Sequence, residues 1–237
     1  MTVRRAFAVV AGGGTAGHVL PALAIMDRLA ASGVARDELH YVGATRGVEA
    51  RLLPPTGYDY TLVDVDGLQR SFSPSDIKRN LLFVPKLVGA TIRAWRQLRR
   101  LRPHVVVNVG GYASMPATIA AWLRRTPIVV VSYDQRPGLA SKVTARVATC
   151  VATAFEGSPL PRARLTGAPI RADIIAVDRA RDRAAARAML GLPDDRFVVT
   201  VFGGSLGAMA INDAVARLVL TAAGRTDLCI HHITGER

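Results

Sequence analysis

Cysteine is nearly absent: the 237 residues hold two, Cys150 and Cys229, far apart and in no C-x-x-C spacing. That argues against a disulfide framework or a cysteine-based zinc site and fits a reducing cytoplasm. Long apolar runs are missing as well. No stretch reaches the ~18 residues that a spanning helix needs, so the expectation is a protein that is soluble or rests on a membrane without crossing it. The segment Met1 to Ile25 places Arg4 and Arg5 before a short apolar run, in the manner of a signal peptide. The run Ala6–Ala11 is too short for that role and ends in three glycines, so a first β-strand is the better reading. Acidic residues are scarce, 18 Asp and Glu against 31 Lys and Arg, a net charge of +13.

The imbalance is steepest between Gly67 and His104. Nine bases (Arg70, Lys78, Arg79, Lys86, Arg93, Arg96, Arg99, Arg100 and Arg102) stand there against Asp76 alone. Such a field attracts phosphate-rich partners: nucleic acid, an anionic membrane surface or a polyphosphate ligand. The plain alternative is an Arg-rich solvated face. What the chain does have is a hydrophobic half, 50% of its residues, with 21 Gly and 13 Pro spread along it. It should therefore bury a core, as disordered and low-complexity chains do not.

Short β-branched runs alternate with helical segments. Strands are expected at Phe7–Ala11, Leu39–Val42, Tyr60–Val65, His104–Val109, Ile128–Val131 and Thr149–Thr153. Leu23, Met26, Leu29 and Ala30 share one helical face before Gly33. Further helices are expected at Ser114–Arg124 and Leu139–Val147, and a long basic one from about Ile77 to Leu101 with Pro85 as a break. Strands that are apolar without strict alternation, each followed by a helix, imply a parallel sheet covered on both faces. A first Rossmann-like domain is placed at 1–166 and an Ala/Arg/Asp-rich linker at 167–196, with one helix, Ala180–Leu190. A second domain opens at 197–237, with a strand Phe197–Phe202, a glycine turn, a helix near Ala208–Ala222 and a strand Leu228–Ile233. Two parallel strands cannot bury both faces, so this second unit is expected to be cut short at Arg237 or completed by a partner.

Three glycine loops carry the chemistry. Gly12-Gly13-Gly14-Thr15-Ala16-Gly17-His18 joins the first strand to the first helix. Small residues let a ligand approach the backbone, and a helix start offers N–H groups to an anion. No Lys-Ser/Thr follows, so it is not a Walker A loop. It is not quite G-x-G-x-x-G either, and a purely structural turn stays open. His18 fits a base or a phosphate ligand. Gly110-Gly111-Tyr112-Ala113-Ser114 should fall on the same carboxyl edge of the sheet, and two such loops suggest a diphosphate; Tyr112 fits a ligand contact or a packed aromatic. Phe202-Gly203-Gly204-Ser205-Leu206-Gly207-Ala208 repeats the device in the second unit. Two domains built this way describe a nucleotide-sugar enzyme better than one dinucleotide module.

AGGGTAGHVLPALAI, NVGGYASMPA, TGAPIR and FGGSLGA, in that order from about Val9 to Ile211, resemble the signature loops of the MurG glycosyltransferase family. The resemblance implies an α/β fold of the GT-B kind, a doubly wound parallel-sheet first domain plus the start of a second. It implies transfer of N-acetylglucosamine from UDP-N-acetylglucosamine to undecaprenyl-diphosphate-muramoyl-pentapeptide, as a peripheral protein on the cytoplasmic face of the membrane, with no cofactor and no nucleic-acid partner. By position, Thr15, Ala16, Gly17, Arg171 and Ser205 match donor contacts. Gly14, Gly111, Tyr112 and Ser114 match the acceptor-diphosphate loops. His18 is the expected base, with Asp134 as the alternative; no D-x-D metal motif is visible. Leu81 and Phe83 beside Lys78 and Arg79 form the expected membrane cluster. Where the family has His-Glu-Gln-Asn, this chain has Tyr133-Asp134-Gln135-Arg136, and an Arg cannot accept a hydrogen bond as an Asn carbonyl can. The rivals are a non-catalytic lipid-diphosphate and membrane module, or another GT-B enzyme such as a UDP-N-acetylglucosamine epimerase.

Overall fold

The structure is a computed structural model that describes residues 5–67, 74–204 and 207–235, with side chains of 74–82 outside the description. It divides into two compact units, Met1–Ala172 and Asp173–Arg237. The first is built on seven strands: β1 (Ala8–Ala11), β2 (Leu39–Ala44), β3 (Asp59–Val63), β4 (Val105–Asn108), β5 (Ile128–Ser132), β6 (Cys150–Thr153) and β7 (Ala163–Leu165). Their order is β3-β2-β1-β4-β5-β6-β7, and every pairing is parallel. The helices are α1 (Ala16–Ala31), α2 (Glu49–Leu52), α3 (Pro74–Leu101), α4 (Met115–Leu123) and α5 (Leu139–Val147).

Period-two alternation sorts the strands between two cores. Val9 and Ala11 of β1 join Val42, Val106, Val130 and Val151 beneath Ala94 and Leu98 of α3, Ala117, Ala120 and Ala121 of α4 and Ala145 of α5. Ala8 and Val10 face the other way, with Leu39, Tyr41 and Val107, onto Val19, Ala22, Leu23 and Met26 of α1. Alanine dominates the α3–α4–α5 side, where small side chains let three helices lie close to the sheet. The expected doubly wound α/β sheet is therefore observed, with strand ends within one or two residues of the sequence reading. Short elements escaped that reading, among them α2 and the three-residue, exposed β7.

The long basic helix is observed as α3, which tolerates Pro85 and runs through it from Pro74 to Leu101. Pro85 lies on the exposed side, so water can satisfy the carbonyl that the missing N–H leaves unpaired. The turns beyond it are anchored by buried Ala90, Ala94 and Leu98.

The second unit has α6 (Ala172–Ile175) at its entry, then α7 (Arg179–Leu190), β8 (Phe197–Phe202), α8 (Met209–Thr221) and β9 (Leu228–Ile233). Asp178 caps α7, accepting from the Ala180 and Arg181 N–H groups at 2.9 Å each, and Gly191 ends it in the left-handed region. Strands β8 and β9 pair in parallel from Phe197↔Leu228 to Phe202↔Ile233.

Candidate active site

Reversal of strand order puts β1 and β4 side by side, with the chain winding outward from each. The crevice above the carboxyl ends of these two strands is where open α/β sheets receive ligands. Both glycine loops of the first unit end there, after β1 and after β4. The backbone at Gly111 is left-handed, φ 77°, and any Cβ on it would collide with the Gly13 carbonyl oxygen. The loops thus touch backbone to backbone, which only glycine permits. Asn108, buried at the end of β4, fixes the second loop: its Oδ1 accepts from the Gly110 N–H at 2.8 Å and its Nδ2 donates to Thr118 Oγ1 at 2.7 Å.

His18 stands between the loops in the first turn of α1. A Cβ on Gly110 would lie 3.0 Å from its Cδ2, and its Nδ1 is 3.2 Å from Thr15 Oγ1. Burial lowers its pKa below the usual 6.5, opposed by the negative charges of Asp134 and Glu49. Asp134 itself is exposed. The N–H groups of Ala16 and Gly17, the first two of α1, precede any intrahelical acceptor and carry the positive end of the helix dipole.

Tyr112 packs against the first loop from outside: a Cβ on Gly14 would meet its ring at 2.5 Å. Burial raises its phenol pKa, with the charges of Glu49 and Asp66 adding to the shift and Arg46 opposing it. Ser114 is fully buried and donates to the Gly111 carbonyl at 2.8 Å, so in this state its hydroxyl shapes the loop.

Tyr133 has a role that the sequence did not disclose. Pro21 lies inside α1, and without its N–H the Gly17 carbonyl lacks the usual i+4 donor. The Tyr133 hydroxyl donates to that carbonyl at 2.7 Å and also reaches the Val109 carbonyl at 3.2 Å. A side chain from the β5 loop therefore completes the first turn of α1 and ties it to β4. Its ring lies 6.3 Å from that of His18, and burial pushes its phenol well up, with Asp134 adding to the shift.

The structure brings together Gly14, Thr15, Ala16, Gly17, His18, Gly111 and Tyr112, with Tyr133 and Asp134 at the rim. Arg171 is exposed near the end of the first unit. Ser205 lies outside the described residues, as do the side chains of Lys78, Arg79 and Leu81. Among the described residues no cluster of His, Cys, Asp and Glu is arranged to hold a metal ion.

Residues 8–153 match the family model described as the glycosyltransferase family 28 N-terminal domain. The chain belongs to glycosyltransferase family 28. A curated relative from Mycobacterium bovis (strain BCG / Pasteur 1173P2) is 41% identical over 240 residues, 97% of this chain and 56% of its own length. It is named UDP-N-acetylglucosamine–N-acetylmuramyl-(pentapeptide) pyrophosphoryl-undecaprenol N-acetylglucosamine transferase. A protein of the same name from Frankia casuarinae is 40% identical over 232 residues, 97% of this chain and 60% of its own. The chain thus spans a little over half the length of these curated relatives. Among solved structures, Acinetobacter baumannii MurG superposes with a TM-score of 0.64 at 23% identity, over 96% of this chain and 65% of that one. The UDP-N-acetylglucosamine 2-epimerase of Neisseria meningitidis does so at 0.60 and 12%, over 97% and 66%. Both likenesses show the shared fold. The MurG resemblance read from the loops is borne out by these family 28 relatives.

Proposed function

We propose that the chain serves transfer of N-acetylglucosamine from UDP-N-acetylglucosamine to an undecaprenyl-diphosphate-linked muramoyl-pentapeptide. The observation that carries this reading is the meeting of two glycine loops and the N-terminus of α1 around one partly buried imidazole. In the proposed reaction an acceptor hydroxyl attacks the anomeric carbon, His18 takes the hydroxyl proton, and UDP leaves. In the tautomer that carries its proton on Nδ1, toward the Thr15 oxygen 3.2 Å away, Nε2 keeps the lone pair that a base needs. Asp134 is the alternative base. Thr15, Ala16 and Gly17 would meet the donor, joined by Arg171 and Ser205. Gly111 and Tyr112 would meet the acceptor diphosphate, on a wall that Ser114 shapes. Charge on the leaving diphosphate would be met by helix N-termini and Arg171.

Attachment to the lipid acceptor is assigned to α3. Phe83 is half-buried, while Val84, Val88 and Ile92, four residues apart, are 61%, 53% and 46% exposed. This apolar stripe sits on the helix that carries Arg93, Arg96, Arg99 and Arg100, a combination suited to an anionic headgroup layer. Lys86, by contrast, is engaged within the protein by Asp66 at 2.6 Å and Asp64 at 3.7 Å. Among the described residues no helix is long and apolar enough to cross a membrane.

Product analysis with UDP-N-acetylglucosamine, with and without the lipid acceptor, tests the reading. A disaccharide-linked lipid formed only with acceptor supports it. Epimerised UDP-sugar formed without acceptor overturns it, and so does acceptor binding with no transfer, the mark of a non-catalytic module. Co-sedimentation with anionic vesicles should weaken for Val88→Ser; equal partitioning to neutral vesicles would sink the docking assignment.

A further inference from the structure

Beneath the first glycine loop lies a carboxyl group that the reaction just described does not use. Glu49, the first residue of α2, is fully buried. Its Oε1 accepts from the Gly14 N–H at 2.8 Å and from the Ala44 N–H, at the end of β2, at 3.1 Å. Its Oε2 has no hydrogen-bond partner in the structure. Glycines surround the group. A Cβ on Gly13 would collide with Oε1, one on Gly47 would come within 2.5 Å of Oε2, and one on Gly43 within 3.2 Å of Cγ. The glycines here make room for a protein side chain from inside, not only for a ligand from outside. The Gly14 N–H, expected at an acceptor diphosphate, points inward to Glu49.

We propose that Glu49 is a positioning residue: its carboxyl group clamps the Gly13–Gly14 turn from below and so sets where the start of α1 and the His18 imidazole stand. Gly13 and Gly14 hold φ of 138° and 91°, a conformation open to glycine alone among ordinary residues, and the Gly14 N–H within that turn is bound by Glu49. Any diphosphate drawn to this edge then meets the N–H groups of Ala16 and Gly17, with that of Gly14 withdrawn. A buried carboxyl lacking full pairing is costly, and such costs concentrate at functional sites. The same carboxylate favours the protonated imidazole of His18, together with Asp134 from the β5 loop. The uncharged groups against His18 are the Thr15 hydroxyl and the Tyr133 ring; Tyr41 and Tyr112 share the field of Glu49. The proposal rests on the reading of His18 as the base only for its catalytic meaning; the clamp itself is testable without turnover.

The experiment compares wild type, Glu49→Gln and Glu49→Ala of this chain by NMR. Amide exchange at Gly14 and Ala44 reads the clamp, and the His18 titration, assigned with His18→Gln, reads the charge. Gln keeps an acceptor oxygen, so Glu49→Gln should retain amide protection while the His18 midpoint moves further below its wild-type value. Glu49→Ala should speed exchange at Gly14 and Ala44 by about tenfold, the loss of one internal hydrogen bond each. Unchanged exchange in Glu49→Ala would overturn the clamp. An unmoved His18 midpoint in Glu49→Gln would overturn the electrostatic half, since a merely structural role predicts that result. If both shifts occur while His18→Gln transfers sugar normally, the clamp stands and the assignment of His18 as base fails.

Discussion

The strand–glycine loop–helix device that follows β1 is repeated in the second unit after β8, and these two copies are held in different ways. In the first unit the loop is filled from below by Glu49, walled by Tyr112 and braced by Tyr133. Helix α1 behind it buries Val19, Ala22, Leu23, Ala24 and Met26. In the second unit the Gly207 N–H closes on the Gly204 carbonyl at 3.1 Å, and Asn212 ties α8 to the Thr234 carbonyl at 3.1 Å and to the His232 ring at 3.0 Å. There α8 buries Val215 alone, and Leu220 is 77% exposed. A glycine-rich turn thus announces where the backbone turns. What occupies the space that its missing side chains leave is decided by residues distant in sequence.

The sharpest way to test the functional side of this contrast is His18→Gln. Only the first loop carries an imidazole at its helix start, so transfer should fall about 10²–10⁴-fold, the usual cost of losing a general base, with the thermal midpoint nearly unchanged. The neutral imidazole is the active form, and burial favours it. Wild-type rate should therefore rise with pH through a midpoint below 6.5. A variant that unfolds yet keeps its turnover per folded molecule would make His18 structural.

Packing provides the next test. Met26→Ala opens a cavity under α1 and should cost about 2–5 kcal/mol, whereas Leu220→Ala in α8 should stay within about 0.5 kcal/mol. Trp95 and Trp122 both belong to the first unit, so urea unfolding followed by their fluorescence reads the first variant; amide exchange in β8 and β9 reads the second. Equal losses would erase the difference between the units.

A buried histidine separates the units by pH as well. His40 on β2 sits against Thr61 and Gln97; burial lowers its pKa from 6.5 to about 4, with Asp59 opposing and Arg100 reinforcing. The unfolded chain takes up this proton near 6.5 and the folded chain only near 4. Stability is thus full above 6.5 and drains away as pH falls between those values, by about 3 kcal/mol. His40→Gln should flatten the fluorescence-detected unfolding midpoint over that window. An undiminished slope would place the titration elsewhere.

Much of the fold was legible because it is local. Val105–Val107 and Ile128–Val131 are unbroken apolar runs, and α1 shows its buried face at Leu23 and Met26. The glycine loops could be assigned to one sheet edge from parallel topology alone. Glu49 was not legible, since an acid 35 positions from Gly14 carries no periodic mark and only the fold brings it under the loop. The same holds for β7, whose three exposed residues lack an apolar pattern. The exposed apolar residues Val84, Val88 and Ile92 follow i+4 steps along α3, the spacing that a helix surface imposes, and that stripe needs the helix bounds as well as the sequence to be seen.

A smaller loss than those of Met26→Ala and the His40 titration belongs to Tyr133→Phe, and it tests the brace directly. The substitution keeps the ring beside His18 and removes only the hydroxyl that donates to the Gly17 and Val109 carbonyls. Pro21 can supply nothing in its place, so the Gly17 carbonyl must turn to water. Loss of such a hydrogen bond costs about 1 kcal/mol, and because Gly17 is exposed, water should hold the cost to that level. The thermal shift should be small, while amide exchange in the first turn of α1, at His18 and Val19, should quicken by several-fold. The glycine loop after β8 offers the control: exchange at Asn212 and Val215 of α8 should not move. If the first turn of α1 keeps its protection in Tyr133→Phe, Tyr133 is a packed aromatic and the hydroxyl contacts do not brace the loop.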